Sequence, residues 1–433
     1  MTATGTLSPV TAPPAFHVMV KPGGAICNLD CEYCYFLSKE QLYPGSRFRL
    51  ADALLESYTK QYLAAQTADE VTFAWQGGEP TLLGLPFFER ALELQAEHKR
   101  PGITLHNTFQ TNGTLLDDAW CAFFKRHDVL VGLSLDGPER LHDRYRVNKG
   151  GQGTFKGVMR GLGLLKKHGV AFNVLTTVHA ANAPYPAEVY RFLRDEVGAE
   201  YLQFIPIVER DNATGFQEGT DVTARSVTGE RYGDFLKGVF DLWVREDVGR
   251  VYVQMFDVAL AAWVGLSPGL CVFEKTCGAA LALEHNGDVY SCDHYVEPAH
   301  LLGHLQELPL LDMVVSDQQR AFGAAKADLP RFCRACEVRF VCNGGCPKDR
   351  VLTTPDGEPG LNYLCAGYRS FFNHVDPYMR FMAGELRGRR PPANVMRYAA
   401  ERDAAQKQAA RVAPRNAPCP CGSGKKAKHC CAR

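Results

Sequence analysis

Cys27-Asn28-Leu29-Asp30-Cys31-Glu32-Tyr33-Cys34 sets three thiols at a CxxxCxxC spacing. Each thiolate can hold one iron of a cubic 4Fe–4S cluster, so three of them leave the fourth iron without a protein ligand. An open iron can bind and reduce a small molecule, whereas a fully ligated cluster only relays electrons. A zinc site or a closed ferredoxin-like cluster is the alternative that this motif alone leaves open.

The 433 residues around this motif are too many for one ordinary domain and suggest two or three. Apolar content suffices for a large core, and no apolar run has the length of a membrane span. Residues 1–15 are rich in Thr, Ala and Pro, with neither a basic head nor an apolar stretch. A loose tail, no export, no membrane partner and a cytoplasmic location are therefore expected. Net charge is zero but uneven: from Arg387 onward 12 Lys/Arg face 2 Asp/Glu, leaving the first 386 residues at 36 against 46. The body is mildly acidic and the tail basic. Sixteen cysteines with no secretion signal point to metal binding rather than to a disulfide framework. Fifteen fall into the sets 27–34, 271–365 and 419–431; Cys121 stands alone in an amphipathic helical pattern and reads as a small buried hydrophobe.

Short apolar segments alternate with helical ones from Phe16 to Asp257. Strands are expected at His17–Lys21, Val71–Gln76, Thr104–Gln110, Val129–Leu135, Phe172–Val178, Tyr201–Ile207 and Val251–Met255. Helices are expected at Leu85–His98, Thr154–His168 and Tyr185–Glu196. Repeated β-then-α units predict an α/β fold, a parallel sheet with helices outside, closed or half-closed into a barrel. Chemistry in such folds gathers at the C-terminal strand ends. The cysteine loop, Gly77-Gly78-Glu79-Pro80, Thr111-Asn112-Gly113 and Ser134-Leu135-Asp136-Gly137 all fall there. The two glycines let backbone approach a ligand closely and offer carbonyls to a charged amine; a plain turn is the competing explanation.

Eight cysteines follow: Cys271, Cys277, Cys292, Cys333, Cys336, Cys342, Cys346 and Cys365, enough for two closed sets of four iron–sulfur or zinc ligands. Between them, Ala279–Tyr290 reads as a hairpin turning at Asn286-Gly287-Asp288. Residues 371–411 are Arg/Ala-rich and read as helical packing followed by a linker. At the end, Cys419, Cys421, Cys430 and Cys431 place four soft ligands within thirteen residues, as a tetrahedral zinc site needs, with His429 able to replace one of the last two.

These motifs resemble known families. The cysteine loop, with aromatic Tyr33 before its last cysteine, is similar to the radical S-adenosylmethionine enzymes. In that family the open iron chelates the amino and carboxylate groups of S-adenosylmethionine, whose cleavage yields a 5′-deoxyadenosyl radical. The resemblance implies a partial (β/α)6 barrel over residues 16–265. It also implies cofactor contacts from Tyr33, Gly77, Gly78, Glu79, Asn112 and Ser134, with Arg160 as carboxylate partner. Residues 266–375 resemble the SPASM extension, implying two auxiliary 4Fe–4S clusters. One would take Cys271, Cys277, Cys292 and Cys346; the other would take Cys333, Cys336, Cys342 and Cys365. Residues 376–415 are expected as a helical, basic linker, and 416–433 resemble the SEC-C zinc motif.

Trp75–Leu82, Gln110–Leu116, Ser134–Pro138, Gln203–Glu209 and Cys292-Asp293-His294-Tyr295 together resemble the anaerobic sulfatase-maturating enzymes. The activity implied is oxidation of a Cys or Ser of a sulfatase to Cα-formylglycine, with Asp293 as base and His294 as its rival. Implied partners are an unfolded or nascent sulfatase polypeptide and a flavodoxin- or ferredoxin-type electron donor, acting on a monomer; nucleic acid is not expected. Two alternatives stand beside it. Another SPASM peptide maturase, forming a thioether or carbon–carbon crosslink, commonly carries an added N-terminal peptide-binding domain, and only about fifteen residues precede strand one here. A non-catalytic metal-binding adaptor has no use for an open-iron loop.

Overall fold

The computed structural model describes residues 15–412 and, beyond them, Asn416, Pro418, Cys419, Gly424, Lys425, Lys426 and His429. The expected N-terminal tail (residues 1–14) and the zinc ligands Cys421, Cys430 and Cys431 lie outside the described residues.

Seven parallel strands stand side by side in chain order. They are β1 (His17–Lys21), β2 (Glu70–Trp75), β3 (Thr104–Thr111), β4 (Leu130–Ser134), β5 (Phe172–Val178), β6 (Tyr201–Pro206) and β7 (Tyr252–Val253). Crossover helices α1 (Asp52–Ala65), α2 (Leu85–His98), α3 (Asp118–Arg126), α4 (Glu139–His142), α5 (Phe155–His168), α6 (Pro186–Arg191) and α7 (Gly229–Glu246) connect them; α8 (Gln254–Val264) follows β7. Alternation along each strand separates two faces. Phe73, Trp75 and Phe109 meet Tyr62 of α1, Phe88 of α2 and Trp120 of α3 in an aromatic core. Burying each of these rings contributes roughly 1.5–3 kcal/mol. Thr72, Ala74 and Thr108, on the opposite face, line a second cavity that reaches Cys271 and Cys277.

The strand and helix expectations hold within one or two residues, except at the last strand. There β7 is two residues long, and Gln254 and Met255 already belong to α8, whose run of helix formers ends at Gly265 in the left-handed region. The expected helix at 185–196 is α6 continued by a π-turn, Phe192–Glu196.

The hairpin of the cysteine-rich region joins the same sheet. Strand β8 (Ala280–Glu284) lies parallel to β1 on its free side, His17 opposite Ala280 and Lys21 opposite Glu284. Strands β9 (Asp288–Tyr290) and β10 (Leu301–His304) extend the sheet antiparallel. The sheet ends at β7 and β10 without closing. Past it, helix Cys365–Arg387 crosses α7, and helix Val395–Val412 packs back on the body. Val395 and Ala399 are fully buried, Tyr398 stacks on Phe381 at 4.5 Å, and Asp403 pairs with Arg245 at 2.8 Å. At least to Asp403, then, the stretch expected as a helical, basic linker from residue 376 packs on the body, with Val395, Tyr398, Ala399 and Asp403 on the packed face and Ala400, Ala404 and Ala405 exposed.

Candidate functional site

A cavity of about 290 Å³ opens at the C-terminal ends of the strands. Cys27, Cys31 and Cys34 form one wall, with Gly77, Gly78, Asn112 and Ser134 beside them. The facing wall comes from β6 and its exit loop and from the cysteine-rich region, through His294, Cys346, Lys348 and Asp349.

The cysteine loop has almost no regular structure of its own and is tied to its neighbours through backbone. Asp30 and Glu32 donate to the carbonyls of Val147 and Tyr145. From the other side, Gly78 and Glu79 donate to the carbonyls of Gly24 and Ile26 at 2.8 and 2.9 Å. A methyl group at Gly78 would sit 2.0 Å from the Ile26 carbonyl oxygen, so only glycine permits this crossing. Gly77 and Gly78 therefore hold the cysteine loop as well as face the cavity.

The Glu79 carboxylate does not line the cavity, which leaves the backbone of this segment to face it. It is buried and accepts from Thr81 N, Thr81 Oγ1, Thr111 Oγ1 and Asn112 N, at 2.7–3.1 Å. Burial raises its pKa against these four donors. Its role is to clamp the β2 exit to the β3 exit. Asn112, which does line the cavity, donates to Asn28 Oδ1 at 2.9 Å, and Asn28 donates to Thr114 Oγ1. Ser134 Oγ accepts from Gln110 at 3.0 Å. Arg160 lies outside the cavity: exposed on α5, it donates to the Thr114 carbonyl.

The guanidinium on the cavity wall is that of Arg146, which no spacing in the sequence singles out. Arg146 Nε and Nη2 grip Asp136 at 2.8 and 3.2 Å; Thr177 and the Tyr33 hydroxyl also donate to this carboxylate. Although burial pushes Asp136 up, Arg146 wins and holds it well below the usual carboxylate range. Tyr33 is thus a buried strut between the cysteine loop and β4. Behind it, the His142 ring accepts the Asp136 amide at Nδ1 and meets Thr154 through Nε2. The Ser-Leu-Asp-Gly ending of β4 was the available signal for Asp136; nothing comparable marks Arg146 or His142.

Burial pushes the thiols of Cys27 and Cys31 up to about 11 and about 12, so iron binding there would displace protons. The eight later cysteines separate into two neighbourhoods. Cys333, Cys336, Cys342 and Cys365 line one small pocket. Cys292 has Cys346 and Cys271 as electrostatic neighbours, and Cys277 has Cys271. Among the described residues no three His, Cys, Asp or Glu side chains converge as a single ion requires.

Asp293, directly after Cys292, is buried. Its Oδ2 accepts from the Tyr35 hydroxyl at 2.8 Å and lies 3.6 Å from Lys21 Nζ at the end of β1. Burial raises its pKa, but His294, Lys21 and Tyr35 outweigh that and bring it down to about 2. Tyr35 and His294 line the cavity, and the Asp293 carboxylate stands just behind them. Sequence reasoning missed Lys21 and Tyr35, since β8 must dock on β1 before either can meet Asp293.

Three family profiles match the chain: the radical SAM superfamily over residues 22–193, the SPASM iron-sulfur cluster-binding domain over 274–337 and the SEC-C motif over 415–433. The serine-type anaerobic sulfatase-maturating enzyme of Bacteroides thetaiotaomicron is 47% identical over 405 residues, covering 90% of this chain and 96% of the relative. The cysteine-type enzyme of Clostridium perfringens (strain 13 / Type A) is 32% identical over 381 residues, covering 86% and 100%. A solved structure of anSMEcpe with bound AdoMet and Cp18Cys peptide superposes with a TM-score of 0.77 at 32% identity, covering 86% of this chain and 100% of that one. Thiols, glycine crossing and sheet architecture agree with these likenesses, and the chain belongs to the anaerobic sulfatase-maturating enzymes of the radical SAM superfamily.

Proposed function

We propose that this chain oxidises a Cys or Ser side chain of a sulfatase polypeptide to Cα-formylglycine. The observation that carries the proposal is the shared cavity: the open-iron cysteine loop and the segment around Asp293 and Cys346 face one space. Cys27, Cys31 and Cys34 would hold the 4Fe–4S cluster, with S-adenosylmethionine against Gly77, Gly78, Asn112 and Ser134. Cys271, Cys277, Cys292 and Cys346 would hold one auxiliary cluster; Cys333, Cys336, Cys342 and Cys365 would hold the other. When bound, these groups supply one-electron transfer and removal of a hydrogen atom from Cβ of the target residue.

The chain itself supplies the proton acceptor. Lys21 and Tyr35 keep Asp293 ionised at neutral pH, and the Tyr35 hydroxyl joins it to the cavity. Ile205 and Ile207 give the opposite wall an apolar surface for a polypeptide. The substrate would be an unfolded or nascent sulfatase, because a folded one could not thread its side chain into so narrow a space. The chain would work as a cytoplasmic monomer with a flavodoxin- or ferredoxin-type electron donor, and the C-terminal motif would hold one zinc ion. No described helix is long and apolar enough to cross a membrane.

The test is anaerobic incubation of reconstituted, dithionite-reduced protein with S-adenosylmethionine and sulfatase peptides carrying Ser or Cys at the target position. Mass spectrometry should show 5′-deoxyadenosine and a peptide aldehyde that a hydrazide captures. Cofactor cleavage with a crosslinked peptide and no aldehyde would favour the other class of peptide maturase.

A further inference from the structure

A long loop leaves β6 along the cavity wall and returns to α7. Arg210 and Val222 bridge at its neck, and the Asp211 amide donates to the Asp221 carbonyl at 3.0 Å, so residues 212–220 form a tongue on a closed base. The tip of the tongue is anchored. Gln41 donates to the Thr214 carbonyl at 2.5 Å, and Lys39 to the Gly215 carbonyl at 3.3 Å, its ammonium 4.3 Å from the centre of the Phe216 ring. Glu297 accepts the Gln217 amide at 2.7 Å and lies 3.5 Å from Lys39. Lys39 and Glu297 are both buried. Lys39 belongs to the short helical turn Leu37–Leu42 just past the cysteine loop, and Glu297 to the segment just past Asp293. The loop thus reaches from β6 to the two segments that carry the reacting end of the cavity.

Its polar groups are not all satisfied. Gln217 lines the cavity, yet its Oε1 is closed to solvent and meets no donor among the described residues. Arg210, at the neck, donates through Nη2 to the carbonyl of Lys348, itself a cavity residue. Its buried Nε and Nη1 meet no acceptor among the described residues. Buried polar groups are nearly always paired, because an unpaired one forgoes the hydrogen bond it had with water. One acceptor and two donors left over on one loop complement a peptide group, which brings one N–H and one C=O. A polypeptide drawn into the cavity has the converse need: its main chain leaves water and requires partners.

We propose that the loop from Arg210 to Val222 is a strap across the substrate polypeptide, in which Gln217 accepts a main-chain N–H close to the target residue and Arg210 donates to a main-chain carbonyl. Lys39 and Glu297 anchor the strap, and its tip turns on the closed neck to admit the polypeptide and bring Oε1 against it. The assignment deepens, and rests on, the polypeptide substrate proposed above. Main-chain contacts are indifferent to side chains, so the strap fixes the path of the polypeptide and not its sequence.

The test is anaerobic calorimetry of the full-length, reconstituted enzyme with S-adenosylmethionine and a sulfatase peptide carrying Ala at the target position, which binds without turnover. Gln217→Ala should weaken peptide binding about three- to tenfold, and replacing residues 212–220 by Gly-Gly about tenfold or more. Iron content at the wild-type level certifies each variant as folded. The same peptide is then methylated on one main-chain nitrogen at a time through the residues flanking the target. One such peptide should bind the wild type about three- to tenfold more weakly and bind Gln217→Ala as well as the unmethylated peptide does, because the two changes remove one hydrogen bond. Wild-type affinity in both variants overturns the strap, as do methylated peptides whose losses all add to that of Gln217→Ala. A wild-type enzyme that binds the Ala peptide with the expected pattern but, once reduced, forms no aldehyde from the Ser or Cys peptide strikes the proposed activity and leaves the strap standing.

Discussion

At the scale of single residues, Asp293 is placed for chemistry by contacts distant in sequence: Tyr35 from the cysteine loop, Lys21 from β1, and Cys292 beside it. A general base contributes about 10² to 10⁴ in rate, so Asp293→Asn should slow aldehyde formation by that order. It should spare iron content and 5′-deoxyadenosine release, measured in the same reaction; an unchanged aldehyde rate would hand the role to His294. His142 makes a second residue-level prediction. Burial, the adjacent Arg146 and an amide donated to Nδ1 keep the ring neutral, with its pKa lowered to about 3. A folded-state value below the unfolded 6.5 gives stability that is complete above pH 6.5 and declines as pH falls toward 3. At pH 5 the loss from this ring is about 2 kcal/mol. Urea unfolding at pH 7 and pH 5 should show a smaller acid penalty in His142→Gln than in wild type; equal penalties would refute the account. Cys27, Cys31, Cys34, Gly77 and Gly78 were legible in the chain because their chemistry depends on local spacing. Arg146 and Lys21 were not, because a lone cation acquires meaning only from the carboxylate folded against it.

Among elements, the crossing of α7 with helix Cys365–Arg387 shows how packing places a ligand. Gly367 meets Gly229 and Gly233 with no side chain between, and a Cβ at Gly367 would lie 2.0 Å from the Gly229 carbonyl oxygen. That closeness seats the first turn, and with it Cys365, in the pocket of Cys333, Cys336 and Cys342. Gly367→Ala should cost about 1–3 kcal/mol through overpacking. Denaturant titration should show it, together with faster iron loss to a chelator; a variant as stable as wild type with unchanged iron release would contradict it. Strand alternation and helix periodicity were readable because each reflects a local period. The two-residue β7 was not, since its extended pairing yields at once to a strong helical run.

Across the whole molecule, three cubane clusters imply about 12 iron per chain. Removing Cys27, Cys31 and Cys34 together should lower iron by about a third and abolish S-adenosylmethionine cleavage. Elemental analysis near four irons in well-reconstituted protein would refute both auxiliary assignments. Deleting residues 412–433 should remove zinc and leave short-peptide oxidation nearly intact, because the described body is already closed by helix Val395–Val412; a large loss of turnover would place the tail in the catalytic unit. By itself the sequence determined the parallel α/β class, the open-iron loop, the eight-cysteine region and the family, since all rest on residue type at short spacing. Only the tertiary structure decided that β8 pairs with β1, setting Asp293 beside Lys21 and Cys346 on the wall of the cavity. It also turned Glu79 inward and left Arg160 outside. Those outcomes depend on which distant segment satisfies each buried polar group, and a buried carboxylate takes whichever donors the packed fold presents.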